Sequence, residues 1–199
     1  MNIYIYSSWK YAPLVVGAYE AVERMLWKPK IVGGSWGPYL SDYPVDSDWC
    51  RGLHEFLDKI DDEYFMLLLE DYYVVGVNQP MMDEVLEVME RNPLVQKVDL
   101  SGSVKGFAHS RFNRYFVKAD EKAQYRSSLQ AAVWRKDYLK KMCPAEGSAW
   151  LFETHGHIRA MGDGALILGC NVPVVNYLNL MRRGVWYGKD DYDGRTHES

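Results

Sequence analysis

The chain has 199 residues and a formal net charge of −4, and 48% of it is hydrophobic, 14% aromatic and 25% charged. That length fills one domain with a full core but not two, the composition is that of a folded globular protein, and the acidic balance argues against tight non-specific adhesion to nucleic acid or anionic membranes. Cys50, Cys143 and Cys170 are scattered without a C-x-x-C pair, which excludes a zinc knuckle or disulfide framework and fits a reducing, cytoplasmic setting; no apolar run approaches a membrane span, and MNIYIYSSWK lacks a signal-peptide layout.

NIYIY at 2–6 alternates β-branched and aromatic residues and predicts a strand. A helix follows, with Pro13 at its first position and Val15, Ala18, Tyr19, Val22, Met25 and Leu26 at helical spacing, until Pro29 breaks the pattern. IVGGS at 31–35 predicts a second strand, and 36–47 a loop. Asp48 suits the N-cap of the helix DWCRGLHEFLDKI, whose Trp49, Leu53, Phe56, Leu57 and Ile60 form one stripe. YFMLLL, apolar without helical period, predicts a strand buried on both faces. A helix from Pro80 to about Asn92 and a strand at 98–102 complete an alternating β-α pattern, the mark of a mainly parallel α/β sheet covered by helices on both sides. The rest predicts strands near 114–118, 129–134 and 172–177, helices at 136–142 and from Ser148 into the 150s, and a polar tail over 189–199.

Glu70 and Asp71 end the apolar run FMLLL, where an open parallel sheet binds its ligands. Carboxylates beside a buried strand require a partner, namely a cation, an arginine or backbone N–H groups, unless they are simply the solvated start of a loop. A hard divalent ion shared with substrate phosphates is one such partner.

The stretch DWCRGLHEFLDKIDDEYFMLLLEDYYV resembles the core of GT-A-type glycosyltransferases, in which a helix leads to an apolar strand ending in a D-x-D or E-D-D motif. YRSSLQAAVWRKDYL followed by EGSAWLFE resembles the acceptor half of small bacterial and viral GT-A-like proteins of the family-2 kind. The resemblance implies a single GT-A-like, Rossmann-related domain over 1–188, with a nucleotide-sugar half (1–100) and an acceptor half (101–188). It implies Mn²⁺ or Mg²⁺ on Asp71, with Glu70 as second ligand or ribose contact and His155 completing the set. It places the nucleotide beside Tyr6, Ser7 and Ser8, with Asp46 toward the ribose, and makes Glu153 or Glu146 the base that takes the acceptor's proton. Arg182 and Arg183 suit the diphosphate through charge-assisted bonds. Tyr72 stands where the family carries a further acid, so the acidic motif is Glu70-Asp71 alone.

The activity these residues imply is transfer of a sugar from a UDP- or GDP-sugar to an acceptor hydroxyl, with inversion if one carboxylate serves as base. The acceptor stays open among glycan, lipid-linked sugar, protein and nucleic-acid base, and the negative charge weighs against DNA. A non-catalytic nucleotide-sugar or glycan-binding module is the alternative that Tyr72 keeps open. A metal-dependent nuclease or phosphotransferase would need further carboxylates and a lysine near Asp71, which the neighbouring YYVV does not supply. Two histidines at the spacing of His155 and His157 share an ion only on extended backbone.

Overall fold

The computed structural model describes residues 1–102, 109–123, 126–182 and 185–186. In chain order the first elements are β1 (Ile3–Ser7), α1 (Val15–Met25), β2 (Lys30–Gly33), α2 (Trp49–Leu57), β3 (Tyr64–Leu69), β4 (Tyr72–Val77), α3 (Gln79–Arg91) and β5 (Val95–Asp99). β6 (His109–Arg111), β7 (Phe116–Ala119), β8 (Ala132–Arg135), α4 (Lys136–Met142), α5 (Ala149–Ala160), β9 (Leu166–Cys170), β10 (Val175–Asn179), β11 (Met181–Arg182) and β12 (Val185–Trp186) follow.

Eight strands form one sheet in the order β2-β1-β3-β8-β5-β9-β7-β6. β1 pairs in parallel with β2 and β3, and β5 with β9, while β8 runs antiparallel between β3 and β5 and β7 antiparallel to β9. This is the mostly parallel α/β domain that the alternating sequence pattern predicts. Side-chain alternation along each strand divides the core in two. Ile3, Ile5, Met66 and Leu68 face α1 and α3, whereas Tyr4, Tyr6, Phe65 and Leu67 face α2, α4 and α5.

Local chemistry sets the helix starts. Asp48 accepts the Arg51 N–H at 3.2 Å, Asn78 the Met81 N–H at 3.3 Å, and Ser148 the Leu151 N–H at 3.2 Å, each filling one orphan donor of a first turn. Pro13 does not open α1: it lies inside a 3₁₀ helix over Trp9–Leu14, and α1 begins two residues later. Gly52 is a packing requirement of α2. A Cβ there would come within 2.5 Å of the Tyr6 hydroxyl and 3.1 Å of Val45. That hydroxyl donates to the Trp49 carbonyl at 2.9 Å, so Gly52→Ala should destabilise the protein by about 1–2 kcal/mol despite alanine's better helix propensity. Urea denaturation measures it; a gain in stability would show that α2 has room to shift.

Five strands depart from the sequence expectations, β11 and β12 among them, since no strand is expected over 181–186. β9 occupies LILGC at 166–170, ahead of the strand expected near 172–177, which forms later as β10. β6 was not expected, and neither was β4, which starts directly after Asp71 and leaves the main sheet to pair antiparallel with β10. No glycine or proline separates FMLLL from YYVVGV, so the sequence reads as one apolar segment where the chain makes two strands in different sheets. The tail over 189–199 lies outside the described residues. Among the described residues no helix is long and apolar enough to cross a membrane.

Candidate functional site

β3 delivers the acids to the C-terminal edge of the parallel strands, and the chain turns there through Glu70 and Asp71. Glu70 is buried, at 6% exposure, and its Oε1 accepts both the Ser8 backbone N–H at 3.1 Å and the Ser8 hydroxyl at 3.0 Å. Burial raises its pKa above the usual carboxylate range, and the Ser8 donors oppose that rise. The partner demanded by a carboxylate at this position is therefore the N–H and hydroxyl at the exit of β1. Ser7 is held in the same edge, its carbonyl accepting the Gly34 N–H at 2.7 Å.

Asp71 has a different environment. Burial, then the charges of Glu70 and Glu153, push its pKa up to about 7. A carboxyl raised this far by burial and neighbouring acids makes Asp71 a candidate functional residue. Glu153 reaches this point from the second turn of α5. Its Oε1 accepts the Leu129 N–H at 2.7 Å, which fixes the carboxylate's orientation.

The segment 126–130, entering β8, ties these parts together. Tyr72 donates to the Leu129 carbonyl at 3.2 Å and stacks on Tyr177 with ring centroids 4.3 Å apart, and Tyr177 in turn donates to the Gln130 side chain. Tyr72 thus braces the floor of the site. Below it, Lys97 is 1% exposed and donates to the Ser128 carbonyl at 2.7 Å and the Arg126 carbonyl at 3.3 Å, with its ammonium 4.7 Å from the Trp134 ring centre. Burial lowers its pKa to about 8, and the nearby charges of Asp99 and Glu153 oppose that fall. Asp99, fully buried at the end of β5, accepts the Ser101 N–H at 3.0 Å and the Ser101 hydroxyl at 2.7 Å.

The sequence reading missed Lys97 and Asp99. Their signal was present: two charged residues at i, i+2 in a strand place a cation and an acid on one face of a buried sheet.

Asp46, Glu146 and His155 lie exposed outside the acidic turn, whereas Leu180, two residues before Arg182, donates its N–H to the Asp71 carbonyl at 2.9 Å. Tyr6 is buried against α2 with its hydroxyl committed to Trp49. Asp46 is exposed in the loop before α2. Glu146 is 76% exposed and pairs with Arg51 at 3.1 Å. His155 is exposed on α5, and the backbone from Ala149 to Ala160 is helical, so the extended geometry needed for His155 and His157 to share an ion is absent there. Arg182 lies in β11, and Arg183 falls outside the described residues.

For a divalent ion, the donor set is thin. Among the described residues no three His, Cys, Asp or Glu side chains group to hold a metal. With Glu70 bound by Ser8, Asp71 is the remaining ligand of the acidic motif, and one carboxylate does not make a resident metal site.

No protein-family model matches this sequence, and neither does any curated protein sequence. Solved structures do match. TarS 1–349 of S. aureus is similar with a TM-score of 0.55 at 10% identity, over 89% of this chain and 60% of that one. CMP:2-keto-3-deoxy-manno-octonic acid synthetase, complexed with CTP, is similar with a TM-score of 0.51 at 12% identity, over 89% of this chain and 92% of that one. At such identities the likeness is one of fold: the chain is an α/β domain with a GT-A-like fold.

Proposed function

We propose that this protein is a glycosyltransferase that binds a nucleoside-diphosphate sugar, with UDP or GDP as nucleotide, beyond the C-terminal ends of β1 and β3 and passes the sugar to an acceptor hydroxyl. The observation that carries the reading is the placement of Glu70 and Asp71 where β3 ends beside Ser8 at the exit of β1, with burial and the charges of Glu70 and Glu153 raising the Asp71 pKa to about 7. A synthetase of the same fold with CTP bound supports a nucleotide ligand.

In the proposed reaction the acceptor oxygen attacks the anomeric carbon as the bond to the diphosphate breaks, and the nucleotide leaves with the bonding electrons. Glu153 takes the hydroxyl proton. The Leu129 N–H holds one of its oxygens and leaves the carboxylate oriented for that transfer. Ser7 and Ser8, at the end of β1, lie where the nucleotide would enter. A divalent ion, if the donor's phosphates bring one, would supply positive charge to the leaving group, with Asp71 as its protein ligand. Arg182 and Arg183 remain the proposed diphosphate contacts within the chain.

The test is a panel of UDP-, GDP- and TDP-sugars together with CTP, with and without Mn²⁺, followed by thermal shift and by donor turnover. Stabilisation by at least one nucleotide sugar is expected, and Glu153→Gln should retain that shift while losing about 100-fold or more in turnover. No shift with any nucleotide would sink the reading. Unchanged turnover in Glu153→Gln would remove Glu153 as base and bring Glu146 forward.

A further inference from the structure

Outside the acidic site, the fold brings together two thiols that the sequence separates widely. Cys50 is the second residue of α2, and Cys143 follows α4 in the loop that leads into α5. Both belong to the core beneath α2, α4 and α5, at 0% and 4% exposure. The Cys143 thiol donates to the Cys50 carbonyl at 3.5 Å, and the Cys50 thiol to the Ser148 carbonyl at 3.6 Å. Backbone bonds close the same junction: the Cys50 N–H donates to the Gly147 carbonyl at 2.9 Å, and the Gly147 N–H to the Asp48 carboxylate at 2.6 Å.

Each thiol is the leading influence on the other's titration. Cys50 lies in the first turn of α2, where Arg159 favours its thiolate while burial and the charge of Asp48 oppose it. The two thiols thus lie side by side at one junction, placed to join by exchange. Cys170 is buried in the core on the opposite face of the sheet.

We propose that Cys50 and Cys143 form a reversible intramolecular disulfide, a redox latch that joins the first turn of α2 to the base of α5. Both sulfurs are buried when the junction is closed, so exchange with a low-molecular-weight disulfide such as oxidised glutathione takes place as the junction opens: one of the two thiolates attacks one glutathione sulfur and expels the other as a thiolate. The second protein thiolate then attacks the first cysteine's sulfur and expels the remaining glutathione. Two protein thiols lose two protons and two electrons, and one oxidised glutathione becomes two reduced molecules. The latch binds α5, and so the element carrying Glu153, to α2, and it stands whether or not the transferase reading holds.

The experiment equilibrates the full chain in a series of reduced and oxidised glutathione buffers, quenches with N-ethylmaleimide, and reads intact mass and linked peptides. The expected result is a species lighter by two hydrogens before alkylation, a linked Cys50–Cys143 peptide, and Cys170 recovered as its maleimide adduct. The oxidised wild type should melt at least about 5 °C higher than the reduced form, because the bridge closes a long loop in the unfolded chain. That shift should vanish in Cys143→Ala and persist in Cys170→Ala. Recovery of three alkylated thiols from the folded protein under every buffer would overturn the proposal, as would a stable glutathione adduct that never resolves. Pairing through Cys170 would do the same.

Discussion

Replacing Asp71 by Asn should make the protein more stable and much less active. The folded carboxyl titrates at about 7, above its ordinary value of 3.8, because burial and the charges of Glu70 and Glu153 disfavour ionisation. A carboxyl with a raised folded pKa leaves stability intact below the unfolded value and erodes it as pH climbs from about 4 to about 7. Above that window the ionised Asp71 costs the fold on the order of 2–4 kcal/mol, which an uncharged amide of the same shape recovers. The advantage of Asp71→Asn in urea denaturation should therefore be larger at pH 8.5 than at pH 5.5. Donor turnover should fall by about 100-fold or more, since the amide cannot carry the charge that the site concentrates there. Wild-type turnover should rise with pH through about 7, and the variant should lose that limb. A stability gain that does not vary with pH would refute the titration, and turnover within a few-fold of wild type would place the chemistry elsewhere.

Lys97→Ala should be the most damaging single change to the fold of this site. It empties the volume of a long buried side chain and strips the Ser128 and Arg126 carbonyls of their donor, a combination expected to cost about 3–5 kcal/mol. Lys97→Met refills most of the volume and removes a buried charge, so its cost should be about 1–2 kcal/mol. The wild type itself should gain stability as pH rises from about 8 to about 10.5: the folded ammonium has a pKa near 8, and the unfolded chain holds its proton longer. Chemical denaturation of the three proteins across that range checks both claims. Equal losses in the Ala and Met variants would mean that the hydrogen bonds to segment 126–130, not volume, dominate at Lys97. An alkaline limb that survives in Lys97→Met would assign the titration to another group.

Much of the first half was legible because its signals are local. FMLLL is apolar on both faces and becomes β3, Asp48 caps α2, and the helix expected over 136–142 forms over those residues as α4. Glu70 could be placed at a strand exit from sequence alone. Its partner could not: Ser8 is 62 positions away in the chain, and only the parallel pairing of β1 with β3 brings the two together. In PAEGSAWLFE the sequence puts Glu153 ahead of Glu146 as base but gives neither an orientation. The loop before α5 turns Glu146 outward to Arg51, while helical phase carries Glu153 inward to Leu129. Lys97 was passed over because charge inside a strand opposes the hydrophobic pattern that identifies strands at all, and its compensating carbonyls belong to residues 29 and 31 positions later.

β8 carries a consequence for how the chain reaches this structure. It is inserted between β3 and β5, so the centre of the sheet cannot close until residues 132–135 have been synthesised and brought back across more than half the domain. Until then β3 and β5 present unpaired, strongly apolar edges, which favour association between chains over folding. Residues 1–100 should therefore not fold on their own, however complete their strands and helices look in the sequence. Folding should be governed by this late, long-range insertion: Glu70 meets Ser8 once β1 pairs with β3, but the Leu129 and Glu153 side of the site is completed only after β8 arrives.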